Sequence, residues 1–139
     1  MRFSEANGQK VVSTSDAVTV AKVAGFVVDP KTAQVVALRL KKTEGDADLL
    51  LWTGVASFGP DAVTVASPEA LTRSERGDLT RPVVGARLLS ERGVELGEVK
   101  DVEFDPATGA VRALLTKRGE IAGDRMMGLG SYALVVRAD

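Results

Sequence analysis

A ten-residue pattern written twice constrains this chain more than any other feature. DPxTxxVxAL occupies residues 29–38 and again residues 105–114. Shifting the sequence over itself by 76 positions aligns residues 12–41 with residues 88–117 without a gap, and nine of those 30 positions are identical. At roughly 1 in 15 chance identity per position about two matches are expected, so a duplicated structural unit explains the register better than coincidence does. The substitutions agree with this, because Val12/Leu88, Val20/Leu96, Phe26/Val102 and Val28/Phe104 keep apolar character where a core-facing side chain is needed.

The pattern itself has the chemistry of a turn. The Asp29 or Asp105 carboxylate can accept hydrogen bonds from backbone N–H groups just ahead of it, and Pro30 or Pro106 presets φ for the first central position. Gly109 suits a left-handed residue closing the turn; Ala33 stands in its place in the first copy, where the same backbone would cost on the order of 1 kcal/mol. The flanking segments, residues 25–28 with 35–40 and residues 99–104 with 110–116, are rich in β-branched residues and read as hairpins. Further strands are expected at residues 9–13, 18–23, 48–52 and 62–66, and then at 83–89, 94–99 and 132–137. Only residues 68–76 read as helical, from the Ser67-Pro68-Glu69 start.

Many short strands at intervals of about ten residues predict an all-β fold of two tandem small barrels joined by a short helix or linker. The first unit is placed at residues 1–76, including a linker helix over 68–76, and the second at residues 77–139, with the boundary near Gly77. A unit of about 65 residues buries only ~60% of its unfolded surface, so each needs a neighbour: the other unit, a second copy or a partner protein.

Composition narrows the function. The chain has no cysteine and no histidine, which removes disulfides, thiolate and imidazole metal ligands and the usual general bases of nucleophilic triads. No cofactor, metal site or catalytic residue is therefore expected. Residues 1–76 carry nine basic and nine acidic side chains and residues 77–139 nine and ten, summing to the net charge of −1, so neither half is a basic, nucleic-acid-seeking domain. The polar first ten residues lack a signal-peptide core, and no apolar run approaches the ~20 residues that cross a bilayer, which gives a cytoplasmic protein without a transmembrane segment as the expectation.

The run from Leu96-Gly97-Glu98-Val99-Lys100-Asp101 through Asp105-Pro106-Ala107-Thr108-Gly109 to Ala113-Leu114 resembles the core of a PRC-barrel domain. The first unit is similar in register through Val20-Ala21-Lys22-Val23 and Val28-Asp29-Pro30, with Ala21 and Ala33 where Gly97 and Gly109 stand, and residues 51–63 resemble the family's closing segment. The family includes the cytoplasmic domain of the photosynthetic reaction-centre H subunit and the C-terminal domain of the ribosome maturation factor RimM. The resemblance implies a compact β-barrel that contacts protein assemblies, and it carries over no catalytic residue.

Each candidate site has a plainer alternative. Asp29 and Asp105 fit turns better than an acid–base pair, and Asp46 with Asp48 fits a solvated loop better than a cation site, which needs six or more oxygens. Gly128-Leu129-Gly130 lacks the third glycine and following helix of a phosphate loop, and Arg76-Gly77-Asp78 reads as linker composition. Arg39, Lys41 and Lys42, with Lys117 and Arg118 at corresponding places, make two basic spots. An RNA site there is not favoured, because the chain is 4% aromatic and has little to stack on bases. Trp52 and Phe58, with Met126, Met127, Leu129 and Tyr132, gather bulky apolar groups in matching closing segments and are the interface candidates, with core capping as the competing role. The expected function is a non-catalytic adaptor or scaffold binding a protein partner, homo-oligomerisation included; an RNA- or ribosome-associated assembly factor is the alternative.

Overall fold

The computed structural model describes residues 1–74 and 81–138, and its regular structure is β apart from one four-residue helix and three single 3-10 turns. The N-terminal half runs α1 (Phe3–Ala6), β1 (Lys10–Ser13), β2 (Val18–Asp29), β3 (Gln34–Lys41), β4 (Leu49–Leu51), β5 (Ser57–Phe58) and β6 (Ala62–Val65). These strands form one curled sheet in the order β4-β3-β2-β1-β6-β5, antiparallel except where β1 runs parallel to β6. The two expected strands at 18–23 and 25–28 are one continuous strand, which bulges beside Gly25 and again at Val27/Val28. Period-two burial sets the faces: Val11 and Ser13 of β1 point inward with Val63 and Val65 of β6.

The C-terminal half repeats this scheme with one break. It runs β7 (Arg87–Ser90), β8 (Glu95–Glu98), β9 (Asp101–Phe104), β10 (Val111–Thr116), β11 (Gly119–Ala122), β12 (Met126–Leu129) and β13 (Leu134–Val136). β8 and β9 together take the place of β2. The result is two sheets, β11-β10-β9 and β12-β13-β7-β8, with β7 parallel to β13 as β1 is to β6. In the N-terminal half the β2–β3 ladder extends to Val23↔Leu40 and Lys22↔Lys41, whereas the β9–β10 ladder stops at Asp101↔Leu115. The corresponding pairs, Val99 with Thr116 and Glu98 with Lys117, are not formed.

The pairing also corrects the alignment of the repeat at its start. β1 bulges between Val11 and Val12 against β2, and β7 bulges between Leu88 and Leu89 against β8, with Val11 opposite Ala21 and Leu88 opposite Gly97. The counterpart of Leu88 is thus Val11, not Val12, because the first connecting turn is one residue longer than the second. Buried serines fasten both turns. The Ser13 hydroxyl donates to Asp16 at 2.6 Å, and the Ser90 hydroxyl oxygen accepts the Arg92 and Val94 N–H groups at 3.2 Å.

The two halves meet through the repeated pattern. Val35 N–H donates to the Gly109 carbonyl and Val111 N–H donates to the Ala33 carbonyl, both at 2.8 Å, around a bridge between Gln34 and Ala110. Gln34 faces its own counterpart at the 76-residue offset, Ala110, and the two flanking bonds are each other's counterparts, so the two turns pair about a local pseudo-twofold axis. Ala33 has φ 54° and Gly109 φ 79°, so the two turns share their backbone and Ala33 carries the left-handed strain. Beside the turns Phe3 stacks on Phe26 at 3.9 Å, and Phe104 lies edge-on to Phe3 and Phe58 at 5.3 and 5.5 Å and tilted against Phe26 at 5.4 Å. The Met1 carbonyl accepts the Phe104 N–H, and Ser4 bonds the Asp101 carboxylate through its N–H and hydroxyl. One buried cluster accordingly runs from Phe3 through Val23, Leu38 and Leu50 to Phe104, Leu114 and Val136.

Two further expectations change. The helix expected over 68–76 is a single 3-10 turn, Pro68–Ala70; Leu71 is extended, and Thr72 pairs with Leu49 through reciprocal backbone bonds of 2.8 and 3.0 Å. Residues 75 and 76 and the boundary at Gly77 lie outside the described residues. The strand expected at 83–89 begins only at Arg87, because Gly85 at φ 88° turns the chain there.

Candidate functional site

The repeated aspartates are turn residues. Lys31 N–H donates to Asp29 Oδ1 at 3.0 Å, and Ala107 N–H donates to Asp105 Oδ1 at 2.8 Å, each the local bond an Asx turn requires. Pro30 and Pro106 sit between donor and acceptor, and Gly109 N–H closes its turn on the Asp105 carbonyl at 2.7 Å. Asp105 also pairs with the Arg112 guanidinium at 2.8 Å. The Ala107 N–H first, and then Arg112, hold its carboxyl below the ordinary aspartate range. The loop carboxylates serve the connector: both Asp48 oxygens accept from Ser74, its N–H and its hydroxyl, at 2.7 Å, and Asp46 lies 3.7 Å from Arg73. Among the described residues no group of three His, Cys, Asp or Glu side chains converges as metal ligands. The Arg76-Gly77-Asp78 tripeptide is outside those residues, and Gly128-Leu129-Gly130 leaves β12 for a bend leading into β13.

The closing segments hold corresponding positions and have different surroundings. In the first, Trp52 opens a 3-10 turn after β4, stacks on Phe58 at 6.0 Å, and lies over Gly109 of the opposite half, where a Cβ would sit 3.0 Å from its ring. Phe58 in turn packs on Phe104. Both side chains are half-buried and belong to the contact between halves. In the second segment Met126 is 4% exposed and belongs to the core, so it forms no part of a surface. Leu129 is half-buried at the end of β12. Met127 and Tyr132 are 41% and 65% exposed.

Tyr132 stands beside a hollow of about 320 Å³ that it lines with Pro82, Val84, Arg87, Leu129 and Ala133. The Arg87 guanidinium lies 4.9 Å from the Tyr132 ring centroid, a cation–π contact that holds the ring in place. Val84 is 42% exposed on the same hollow and escaped the sequence reading. The sequence places Val84 inside a strand over residues 83–89, and only the turn at Gly85 brings it to this surface.

The basic spots also differ. Lys41 ends the zipped β2–β3 ladder opposite Lys22. Lys117 and Arg118 instead form the tip of the β10–β11 hairpin and face a groove of about 640 Å³ across from β8. Arg87 and Lys100 line the same groove with Glu95 and Glu98, to which they are paired at 3.2 and 2.6 Å. Lys117 and Arg118 are in no ion pair among the described residues.

The model of the PRC-barrel domain family matches residues 79–135, a little over two-fifths of the chain. No curated protein matches the chain. No helix among the described residues is long and apolar enough to cross a membrane.

Proposed function

We propose that this chain, which carries a PRC-barrel domain at residues 79–135, is a non-catalytic protein-binding module of two such units, the first a diverged copy, acting as an adaptor through its second closing segment. The reading of the first half as a second copy is supported by the same strand order, the same parallel β1–β6 and β7–β13 pairings and the same bulge beside Val11 and Leu88. The observation that carries the binding role is the unequal use of two matching segments. Trp52 and Phe58 are consumed by the contact between halves, while Tyr132 and Val84 are left in solvent around a hollow and Met127 is exposed on the same closing segment. An exposed tyrosine ring beside a hollow, with an arginine against it, has the side-chain chemistry in which interface hot spots are enriched.

The test is affinity capture from native lysate with wild type and with Tyr132→Ala/Met127→Ala. The double variant is expected to lose the wild-type partner while melting as wild type does. Capture of the same partner in the same amount by both proteins overturns the proposed face. Salt-sensitive recovery of RNA in place of protein favours the assembly-factor alternative.

A further inference from the structure

We propose that the gap between β8 and the tip of the β10–β11 hairpin is a docking groove for an extended acidic peptide segment of the partner, an inference that rests on the protein-binding reading. The gap exists because the C-terminal half leaves open what the N-terminal half zips shut. Lys22 and Val23 of β2 are paired with β3, whereas their counterparts Glu98 and Val99 have no partner on β10. β8 therefore has β7 on one side and, among the described residues, no strand on the other. An unpaired strand edge is a template for one more strand, and peptide recognition by strand addition uses such edges.

The charges select the occupant. Arg87 and Lys100 are already paired with Glu95 and Glu98, and Lys117, though the Glu98 carboxylate feels its charge, and Arg118 face the groove outside any ion pair among the described residues. A peptide strand laid along β8 presents alternate side chains toward the hairpin tip, and Asp or Glu at those positions completes the pairs. A nucleic acid fits less well. No aromatic side chain lines the groove to stack a base. The groove shares Gly85 and Arg87 with the Tyr132 hollow, so one segment can reach both.

The experiment is fluorescence anisotropy on the intact protein with three fluorescein-labelled probes: a Val-Glu repeat peptide, a Val-Gln repeat peptide and an oligouridylate. The Val-Glu probe is expected to bind on the order of tenfold more tightly than the Val-Gln probe, with an affinity that falls as salt is raised. Lys117→Glu/Arg118→Glu is expected to remove that preference, and the matched reversal Lys41→Glu/Lys42→Glu, on the zipped half, to keep it. Melting curves like that of wild type confirm that each variant is folded. Equal effects of the two reversals, equal binding of the two peptides, no binding of the acidic peptide, or tighter binding of the oligouridylate each overturn the groove. If capture of the protein partner still depends on Tyr132 while any of these results holds, the protein-binding reading survives and only the groove fails.

Discussion

At Gly109 the repeated pattern does two jobs: its φ of 79° closes the turn, and its missing side chain makes room for Trp52 and Gln34 of the other half. Gly109→Ala meets both constraints at once, placing a methyl in left-handed backbone and 2.5 Å from Gln34 Nε2. A loss of about 1–3 kcal/mol is expected, read from denaturant melts. Asp105 shows how far the copies have diverged, since its ion-pair partner Arg112 corresponds to Val36 in the first copy. Its carboxyl is held below the ordinary aspartate range by the Ala107 N–H and by Arg112. A depressed native pKa stabilises the fold above the unfolded pKa and ceases to do so as pH falls through the native value. Wild type is therefore expected to melt higher than Asp105→Asn at neutral pH, with the difference closing as pH is lowered below about 4. A difference that grows on acidification contradicts this assignment.

The strands show what a sequence discloses about its elements. Both hairpins around the Asp-Pro turns were legible because β-branched residues, the turn proline and the left-handed position all specify the same geometry. The 3-10 turn at Pro68–Ala70 began where Ser67-Pro68-Glu69 indicated, but it did not continue, because Thr72 gains backbone bonds to Leu49 that a helix forgoes. β11 and β12 were missed: each is four residues long, and both contain glycine, so no period stands out. Between them, the 3-10 turn at Gly123–Arg125 rests on β10 so closely that a Cβ on Gly123 would lie 2.1 Å from the Val111 carbonyl oxygen. The matching turn of the first half begins with Trp52. Gly123→Ala is expected to lift this turn from β10 and cost about 1–3 kcal/mol, and a melt equal to wild type would contradict the packing. The groove beside β8 was not legible at all, because Glu98 and Lys117 align with Lys22 and Lys41 in the repeat, and nothing in their spacing says which pair is zipped.

At the scale of the molecule, duplication brings two equal surfaces together and leaves two others free to diverge. The pairing of Ala33 to Val35 with Gly109 to Val111 and the ring cluster around Phe104 give each half the neighbour that a unit of its size needs. One closing segment is drawn into that contact, and the other stays open. The bulky apolar groups of the two closing segments stood out in the sequence, but their division did not: Trp52 and Phe58 went to the contact between halves, Met126 to the core, and Met127 and Tyr132 to the surface. The measurement that tests this division most directly compares Trp52→Ala with Tyr132→Ala in one series, reading both thermal unfolding and retention of the captured partner. Trp52→Ala is expected to lower the melting temperature by roughly 6 °C or more through lost packing. Tyr132→Ala is expected to stay within about 3 °C of wild type, since an exposed cation–π contact contributes little, and yet to lose the partner. A Tyr132→Ala protein that keeps its partner while Trp52→Ala melts normally would contradict the division of roles between the two segments.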